Sequence, residues 1–329
     1  MFKLILQPRA SIRSIGRIST LLVCCFLLLA SLRAETEVSK TTSEQSKPVI
    51  VASYNVDNYL TMPRHVNGRY RNNAGKPESE KTAVAKVVAI IHPDIIAFME
   101  MGDIRQFHDL QRRLRERGLD YPYSEYLQGW DTQRHVALLS RFPLLEHHSQ
   151  GIIPLTVHGK ALHSPRGILD VTVELQSGYQ LRILALHLKA KVNIEEYNQA
   201  ELREAEAHSL HRYIHDILTA NPKTHLLVMG DFNDTKNSKP IQEISGKPDQ
   251  ADSLHSLPLT DDRKELWTEY WKTPDEYSRI DYMMVNKELE KAIQLDHSGI
   301  ARPDFWNEAS DHCALFTTII PEAKKKEEN

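Results

Sequence analysis

Cysteine, glycine-rich loops and long apolar runs are scarce in this sequence. Of the three cysteines, Cys24 and Cys25 lie in an apolar segment near the N-terminus, which leaves Cys313 without a partner for an intramolecular disulfide. No glycine-rich nucleotide loop of either common type follows a predicted strand, so dinucleotide-dependent redox chemistry and nucleoside triphosphate chemistry are disfavoured. The sixteen histidines include no His-Glu-x-x-His motif, which argues against a zinc hydrolase of that type.

The one long apolar run, residues 18–32, lies near the N-terminus and carries no charge. Four basic residues precede it: Lys3, Arg9, Arg13 and Arg17. The run is shorter than the roughly 20 residues needed to span a bilayer, and Ala34 provides a small residue for cleavage. We therefore expect residues 1–34 to be a signal peptide that exports the protein to the periplasm or the medium and leaves no stable membrane span. A retained N-terminal anchor is the alternative.

An excess of positive charge is also missing. Removing residues 1–34 takes away five basic and no acidic residues, so 36 basic residues remain against 44 acidic ones. Such a surface binds a long polyanion only through a local basic patch. Residues 64–76 form the one candidate loop, which either rims the cleft or is an ordinary solvated charged loop. Residues 35–47 have the composition of a disordered linker and residues 322–329 that of a disordered charged tail. One domain is expected between them, at residues 48–321, and we expect it to be a monomer.

Short apolar stretches rich in β-branched residues predict eight strands. They are residues 49–54, 94–99, 135–140, 168–175, 181–186, 225–229, 279–285 and 314–320. Apolar residues at helical spacing predict two amphipathic helices, one with Val84, Val87, Val88 and Ile91 on its apolar face and one with Ala207, Leu210, Ile214, Ile217 and Leu218. Some strands are separated by helices and others follow directly after a turn, as at residues 176–179, so we expect mixed sheets packed face to face with helices outside.

Polar side chains stand where the first two predicted strands end. Asn55 and Asp57 follow the first strand, and Glu100 follows the second. Carboxylate and amide oxygens are the ligands that hard cations such as Mg²⁺ prefer. Glu100 alone is equally typical of a solvated or salt-bridged residue, but its combination with Asn55 and Asp57 favours a cation site.

Two later strands end in groups suited to proton transfer and phosphate binding. Asp231 and Asn233 share one face, where Asp231 can orient or deprotonate a water and Asn233 can hold that water or a phosphate oxygen. His187 and Lys189 share one side of another strand end. The His187 ring either faces a phosphate or bonds to a neighbouring carbonyl.

Asp281 lies inside an apolar strand, where an unpaired carboxylate is costly. His312 is its natural partner, because a carboxylate bonded to one imidazole nitrogen fixes the tautomer and raises the basicity of the other. Asp311 is then free to face a metal. Nearby aromatic residues either pack the core or stack on a ring of the substrate: Trp267, Tyr270, Trp271, Tyr277 and Trp306.

Seven short motifs run in order through nearly the whole chain after residue 34. They are Tyr54-Asn-Val-Asp57, Asp94-Ile-Ile-Ala-Phe-Met-Glu100, Val136-Ala-Leu-Leu-Ser-Arg-Phe-Pro143, His187-Leu-Lys189, Gly230-Asp-Phe-Asn233, Arg279-Ile-Asp-Tyr282 and Ser310-Asp-His312. This series resembles the endonuclease/exonuclease/phosphatase superfamily, which includes DNase I, abasic-site endonucleases, neutral sphingomyelinases and inositol-polyphosphate 5-phosphatases. The resemblance implies a DNase I-like four-layered α/β sandwich, two packed mixed β-sheets flanked by helices, with the active site at one edge of the sheets.

The resemblance also implies a role for each matching residue. Four would surround a divalent metal: Asn55, Asp57, Glu100 and Asp311. Five would be catalytic: His187, which stabilises the phosphate or leaving group, Asp231 and Asn233, which position the attacking water, and Asp281, which braces His312. Arg166 would bind the phosphate. Met99 departs from the pattern, since many members have Gln before the metal-binding Glu, but the ligand itself is retained.

The function implied is hydrolysis of a phosphodiester, by a nuclease or another phosphodiesterase, through metal-assisted attack of an activated water. Mg²⁺ is the expected ion, with Mn²⁺ or Ca²⁺ as alternatives, and the partner is a phosphate-ester substrate, with nucleic acid one candidate. Hydrolysis of a phosphomonoester or of a phospholipid head group is an alternative on the same fold. An inactive binding module is the alternative from another class, and it is disfavoured because every expected polar position is filled.

We predict that export gives a mature chain that begins near Glu35, because Ala34 ends the charged-then-apolar leader. N-terminal sequencing of protein recovered from the periplasm or medium measures this directly. Full-length protein in the membrane fraction would instead support the retained anchor.

Overall fold

Two six-stranded sheets form the centre of the molecule. The computed structural model describes residues 47–66, 68–192 and 198–321, all within one compact unit that begins at Ser46. The predicted signal peptide, nearly all of the predicted linker and the predicted C-terminal tail lie outside these residues. Strands are numbered in chain order.

The first sheet is mixed, because one pair of neighbouring strands runs parallel, Val49–Tyr59 with Ile95–Met101, while the other neighbours are antiparallel. In spatial order it contains β17 (Ile293–Ala301), β18 (Ala314–Ile319), β1 (Val49–Tyr59), β4 (Ile95–Met101), β6 (His135–Ser140) and β5 (Tyr123–Leu127).

The second sheet is also mixed, and its parallel pair of strands is Gln180–His187 with His225–Asp231. In spatial order it contains β13 (Leu254–Ser256), β16 (Asp281–Asn286), β12 (His225–Asp231), β11 (Gln180–His187), β10 (Ile168–Glu174) and β7 (Leu144–His147). Three hairpins extend from the sheets: β2 (Met62–Val66) with β3 (Arg69–Ala74), β8 (Pro154–Val157) with β9 (Lys160–His163), and β14 (Glu269–Trp271) with β15 (Glu276–Ser278).

Helices cover the outer faces of both sheets. In the described ranges they are α1 (Glu78–Ile91), α2 (Ile104–Arg115), α3 (Gln199–Ala220), α4 (Lys239–Ser245), α5 (Lys287–Glu290) and α6 (Trp306–Ala309), and a 3₁₀ turn at Gln176–Gly178 joins β10 to β11. None of the described helices is long and apolar enough to cross a membrane.

Side-chain alternation along the strands produces three apolar cores, one between the two sheets and one between each sheet and its helices. On β1, Val51 points into the core between the two sheets, whereas Ala52 points to the core under α1 and α2. On β12, Leu227 joins the core between the sheets and Val228 joins the core under α3 and α4. The layers are therefore helix, sheet, sheet, helix, which is the predicted four-layered sandwich.

Both predicted helical faces are buried as expected. Val84, Val88 and Ile91 pack against the first sheet, and Leu210 and Ile214 pack against the second. Helix α2 was not predicted, because only Phe107, Leu110 and Leu114 are buried in an otherwise charged segment. Strands β5, β7 and β17 were also not predicted, since they lie at or next to sheet edges and alternate weakly between apolar and polar residues.

The strand ends that carry the predicted site residues have irregular backbone. The register shifts between Asn55 and Tyr59 on β1 and between Phe98 and Met101 on β4, and such bulges are common beside active sites. Asp57, Glu100 and Asn233 have φ values of 43°, 61° and 52°. The left-handed region is unfavourable for a residue such as Glu, and the clustering of such residues is typical of a functional site.

Gly230 permits β12 to pass close to β11. Its φ is 143°, and a Cβ atom at this position would lie 2.0 Å from the carbonyl oxygen of Leu186. Since backbone cannot move as a flexible side chain can, only glycine fits before Asp231. The glycine of the Gly-Asp-Phe-Asn motif is thus required for packing, whereas the residues that follow it carry the polar groups.

We predict that Gly230→Ala lowers the free energy of unfolding by about 3 kcal/mol, through the clash and the positive φ. Urea denaturation of the purified protein measures this value. Gly75→Ala is the matched control, because its Cβ would meet no atom within 4 Å, and it should change stability by less than about 0.5 kcal/mol. Equal stability of the two variants would refute the proposed close approach.

Candidate active site

The predicted site residues meet at one edge of the two sheets. His187 on β11, Asp231 on β12 and Asp281 on β16 lie side by side, because His187 pairs with Asp231 and Asp231 pairs with Asp281 in the strand register. Asn55 and Glu100 reach the same edge from the parallel strands β1 and β4 of the other sheet. The segment before β18 adds Asp311 and His312, which lie beside the β14–β15 hairpin.

The carboxylate of Asp231 lies at the centre of this group. Its Oδ2 accepts a hydrogen bond from Asn55 Nδ2 at 2.9 Å and lies 3.4 Å from His187 Nε2 and 3.9 Å from His312 Nε2. Its Oδ1 accepts a hydrogen bond from the backbone N–H of Asn233 at 2.8 Å. Burial, with the negative charge of Asp281, raises the pKa of Asp231 to about 8. Asp231 is therefore oriented on all sides and has the basicity of a group that exchanges protons.

Asp281 and His312 form the expected pair. His312 Nδ1 lies 2.8 Å from Asp281 Oδ2, and both side chains are buried. Burial acts against a positive charge on the ring, but the carboxylate of Asp281 outweighs it and raises the pKa of His312 well above its usual value. Nδ1 is thereby fixed toward Asp281, and Nε2 faces Asp231 and Asp311.

His187 favours the neutral form of its ring, whereas His312 favours the cationic form. Burial lowers its pKa well below the usual value, and the positive charges of Arg166 and His312 act in the same direction. Its Nδ1 is buried and makes no hydrogen bond within the protein. The site thus combines a neutral imidazole with a cationic one on either side of Asp231.

Carboxylates at the cleft would suit a divalent cation. Glu100 Oε2 accepts a hydrogen bond from the backbone N–H of Asn58, whereas Oε1 lies 3.9 Å from His187 Nε2. Asp311 is about half exposed, and burial of its inner side together with the charges of Asp57 and Glu100 raises its pKa to about 7. Mutual repulsion of this kind is relieved by a bound cation, so Glu100 and Asp311 fit the expected metal.

The other two expected ligands make contacts inside the protein. Asn55 Oδ1 accepts a hydrogen bond from the backbone N–H of Asp57 at 3.1 Å. The Asp57 carboxylate, which is 38% exposed, lies 3.5 Å from the buried Lys76 ammonium. Burial would raise the pKa of Asp57, but Lys76 and Asn58 outweigh it and lower the pKa. Asp57 therefore remains an anionic group at the cleft with a lysine beside it.

A second set of three ligand atoms also converges. One atom each from Asp231, Asp281 and His312 lies within 4.8 Å of the others, a spacing that a metal ion could bridge. The 2.8 Å hydrogen bond between Asp281 and His312 already accounts for the approach of two of the three. The convergence of these three atoms is therefore explained by that hydrogen bond and does not require an ion.

Arg166 and Asn233 lie at the second-sheet side. Arg166 is 6% exposed and contacts Asp131 at 3.3 Å, while its Nε and one terminal nitrogen are buried without a hydrogen-bond partner in the protein. A buried guanidinium with free donors is suited to an anionic ligand. Asn233 Nδ2 donates to the carbonyl of Leu188 at 3.0 Å, so this residue positions Asp231 through its backbone.

Sequence reasoning gave no individual role to three residues that support the site. Lys76 contacts Asp57, Arg134 donates to Asn58 Oδ1 at 2.9 Å, and Ser310 Oγ donates to the carbonyl of Asn55 at 2.8 Å. Ser310 stands in a predicted motif, and its position could have indicated a contact. Lys76 and Arg134 look like ordinary surface charges in the sequence, and only the fold brings them to the cleft.

We predict that Asp281→Asn lowers the pKa of His312 toward the ordinary value of about 6.5, because the amide keeps a hydrogen-bond acceptor but removes the charge. Imidazole NMR signals followed through a pH titration measure this shift. Glu290→Gln is the control, because it alters a similar contact to exposed His255 and should leave His312 unchanged. An unaltered His312 titration in Asp281→Asn would disprove the coupling.

Comparison with known proteins places the chain in a family. The profile of the Endonuclease/Exonuclease/phosphatase family matches residues 52–312, whereas no curated protein sequence is a significant match. Three similar solved structures are a truncated Caenorhabditis elegans TDP2, the human Nocturnin catalytic domain with bound sulfate, and the 3′ phosphatase NExo from Neisseria bound to a product DNA hairpin. Their sequence identities to this chain are 18%, 19% and 14%, and their TM-scores are 0.56, 0.57 and 0.54, in that order. The matches cover 83%, 82% and 82% of this chain, and 97%, 93% and 98% of the respective structures. At these identities the likeness shows the shared fold alone. With the profile covering most of the chain, the protein belongs to the Endonuclease/Exonuclease/phosphatase family.

Proposed function

We propose that this protein is an exported, divalent-metal-dependent phosphodiesterase that hydrolyses its substrate by attack of an activated water. The observation that carries the proposal is the surroundings of Asp231. One carboxylate oxygen lies within 4 Å of an amide, a neutral imidazole and a cationic imidazole, next to a carboxylate cluster that suits a hard cation. This set can accept a proton from water while it stabilises negative charge on phosphate.

Glu100 and Asp311, with Asn55 and Asp57 beside them, would hold the metal, and Mg²⁺ fits because all four offer oxygen atoms. Mn²⁺ and Ca²⁺ accept similar oxygen ligands. When bound, the ion would polarise the phosphate and neutralise developing charge.

The other residues have separate roles in the proposed reaction. Asp231 takes a proton from the attacking water as the new phosphorus–oxygen bond forms. The cationic Nε2–H of His312 faces the developing negative charge, and Asp281 keeps that ring charged and oriented. His187 donates a hydrogen bond to a phosphate or leaving-group oxygen, the bond to the leaving group breaks, and Arg166 binds a second phosphate oxygen.

Two exposed hairpins support a substrate larger than a simple phosphate ester. The β2–β3 hairpin, which follows the Asp57 strand, exposes Arg69, Tyr70 and Arg71, and Arg64 fastens it to the carbonyls of Asn58 and Leu60. The β14–β15 hairpin is attached to Asp311 through the N–H of Tyr270. Basic side chains and aromatic rings beside a phosphate site favour nucleic acid.

The aromatic residues near Asp311 divide between packing and exposure. Trp267 packs on Trp306 at 5.1 Å and on Tyr277 at 4.7 Å, whereas Tyr277 is 56% exposed and Trp271 is 49% exposed. The exposed pair can contact a base, and the Trp267–Trp306 contact anchors the hairpin. The structure of the Neisseria 3′ phosphatase contains a product DNA hairpin, and we propose that this chain also binds DNA.

Hydrolysis of a phosphomonoester is the second candidate, and the Neisseria 3′ phosphatase motivates it. An inactive binding module is disfavoured, because the described residues supply every metal-binding and catalytic side chain that the family motifs imply. Export as a monomer to the periplasm or medium completes the proposal.

We predict that Glu100→Gln reduces hydrolysis on the order of 10²-fold or more and weakens Mg²⁺ binding, while the fold persists, because the amide keeps the shape and removes the charge. Hydrolysis rates are measured with Mg²⁺ and with chelator on bis-p-nitrophenyl phosphate, p-nitrophenyl phosphate, plasmid DNA, RNA and sphingomyelin. Calorimetric titration with Mg²⁺ measures metal binding. Glu288→Gln is the control, since that partly exposed carboxylate on α5 pairs with Lys291, the residue that follows the helix.

The outcomes separate the candidates. Preference for DNA or RNA over the small diester supports a nuclease, and preference for p-nitrophenyl phosphate supports a monoesterase. Wild-type rates and Mg²⁺ binding in Glu100→Gln would overturn the ligand assignment. Absence of metal-dependent hydrolysis of every substrate would overturn the enzymatic proposal in favour of a binding module.

A further inference from the structure

The loop between β5 and β6, residues 128–134, lies at the edge of the first sheet where the expected metal ligands meet. In an antiparallel pair the start of one strand lies beside the end of the other. Strand β6 is antiparallel to β4, and His135 at the start of β6 pairs with Met101 at the end of β4, next to Glu100. The loop therefore stands beside the cleft, although the proposed reaction uses none of its side chains.

The same loop contacts the segment of the second sheet that carries Arg166. That residue lies just before β10, and the start of β10 pairs with the end of β11 that carries His187. The backbone N–H of Asp131 donates a hydrogen bond to the carbonyl of Pro165 at 2.6 Å, and the Asp131 carboxylate lies 3.3 Å from Arg166. A Cβ atom on Gly129 would lie 2.6 Å from the Cα of Arg166, so the two backbones pass close together. The loop thus joins the metal side of the cleft to the phosphate side.

Trp130 lies between the two anchored residues of this loop and is exposed yet held in place. The residue is 60% exposed, and its ring stacks on the imidazole of His163 with centroids 4.4 Å apart and an angle of 17° between the planes. A large aromatic side chain left in water gives up most of the free energy that its burial would supply. His163 covers one face of the indole, and the other face remains open to a ligand.

A second observation at the same place indicates what that ligand contains. Arg166, whose backbone contacts both neighbours of Trp130, has its Nε and one terminal nitrogen buried without a hydrogen-bond partner in the protein. Unpartnered cationic donors suit an anion, and an open indole face suits a flat ring. A nucleotide joins a phosphate to such a ring, whereas a phosphocholine head group has the phosphate without the ring.

Exposed aromatic residues then lie on both sides of the metal ligands. The β14–β15 hairpin, with Trp271 and Tyr277, is bridged to the segment just before β18, and β18 and β6 are separated in the first sheet by β1 and β4. Trp130 is on the β6 side. A single nucleotide has one base, but a strand has a base on each side of its scissile phosphate, so this arrangement favours a strand.

We propose that Trp130, held against His163, stacks on a nucleobase of a nucleic-acid strand whose scissile phosphate lies at Arg166. This role rests on the proposed function and narrows its substrate from phosphodiesters in general to those of a nucleic acid. Stacking on one indole face accepts any base, because every base has a flat π-face. Trp130 therefore contributes affinity for the strand without selecting its sequence.

The test compares ligands that share a phosphate but differ in the base. Calorimetric titration of the whole protein in Mg²⁺ gives Kd for thymidine 5′-monophosphate, for 2-deoxyribose 5-phosphate, and for oligothymidylate with phosphorothioate linkages, which resist hydrolysis. We expect wild type to prefer the nucleotide over the sugar phosphate by about 10-fold or more, and to bind the strand most tightly. Trp130→Ala should lower that preference about 10-fold, and Trp130→Phe, which keeps a flat ring, should retain most of it.

Tyr123→Ala is the matched control. It removes another exposed aromatic ring, at the opposite end of β5 from the loop, and should keep the wild-type preference. A loss of packing alone would weaken both ligands alike and lower Tm. Should Trp130→Ala not fold, Trp130→Leu, which keeps an apolar side chain without a flat ring, takes its place.

The binding measurements need no turnover, so they decide the role of Trp130 whether or not the protein hydrolyses a phosphate ester. The platform is overturned if wild type binds the nucleotide and the sugar phosphate equally, or if the folded Trp130 variant keeps the wild-type preference or weakens both ligands equally. Equal affinity for the mononucleotide and the strand would overturn the strand as ligand. Metal-dependent hydrolysis of bis-p-nitrophenyl phosphate alongside any of these results would leave the proposed function standing.

Discussion

The hydrogen bond from Asn55 to Asp231 connects the two sheets at the edge where the chemistry is expected. Its partners are 176 residues apart, one on each central sheet, and both are buried. A carboxylate in such a position is costly unless donors surround it. The amide of Asn55 and the backbone N–H of Asn233 donate hydrogen bonds to it, and the two imidazoles lie within 4 Å. The close approach allowed by Gly230 brings Asp231 to this place.

Charge is divided unevenly across this edge. Asp281 makes His312 a cation, whereas burial and nearby positive charges keep His187 neutral. On one side, Glu100 and Asp311 repel each other, and on the other, Arg166 keeps two buried nitrogen positions without partners. Unsatisfied groups of both signs are unusual inside a folded protein and are expected where a ligand completes the structure. A phosphate ester with a divalent cation offers the complementary charges.

The family fold and the individual features of this chain contribute differently. The sandwich of this chain aligns two parallel strand pairs so that their ends meet, and solved structures less than 20% identical to it share the fold. The β2–β3 and β14–β15 hairpins are separate from the two central sheets, and we propose that they contact the substrate.

Much of this architecture could be predicted from the sequence, because periodicity and strand-end motifs are local signals. The apolar faces of α1 and α3, the central strands and the pairing of Asp281 with His312 all followed from residues close together in the chain or from the order of the motifs. Helix α2 could have been inferred from Asp103, which caps it by accepting hydrogen bonds from the N–H groups of Arg105 and Gln106, but its charged surface hid the signal.

Apart from the Asp281–His312 pair, only the tertiary structure decided which polar side chains meet. Lys76 against Asp57, Arg134 against Asn58 and Asp252 against His215 join residues that are 19 to 76 positions apart, and no local pattern distinguishes them from solvated surface groups. The left-handed backbone at Glu100 is likewise set by the bulges where β1 and β4 pair. The sequence by itself determined the elements and their chemistry, because those depend on neighbours along the chain. Contacts and charge states depend on burial and on neighbours in space, and therefore required the fold.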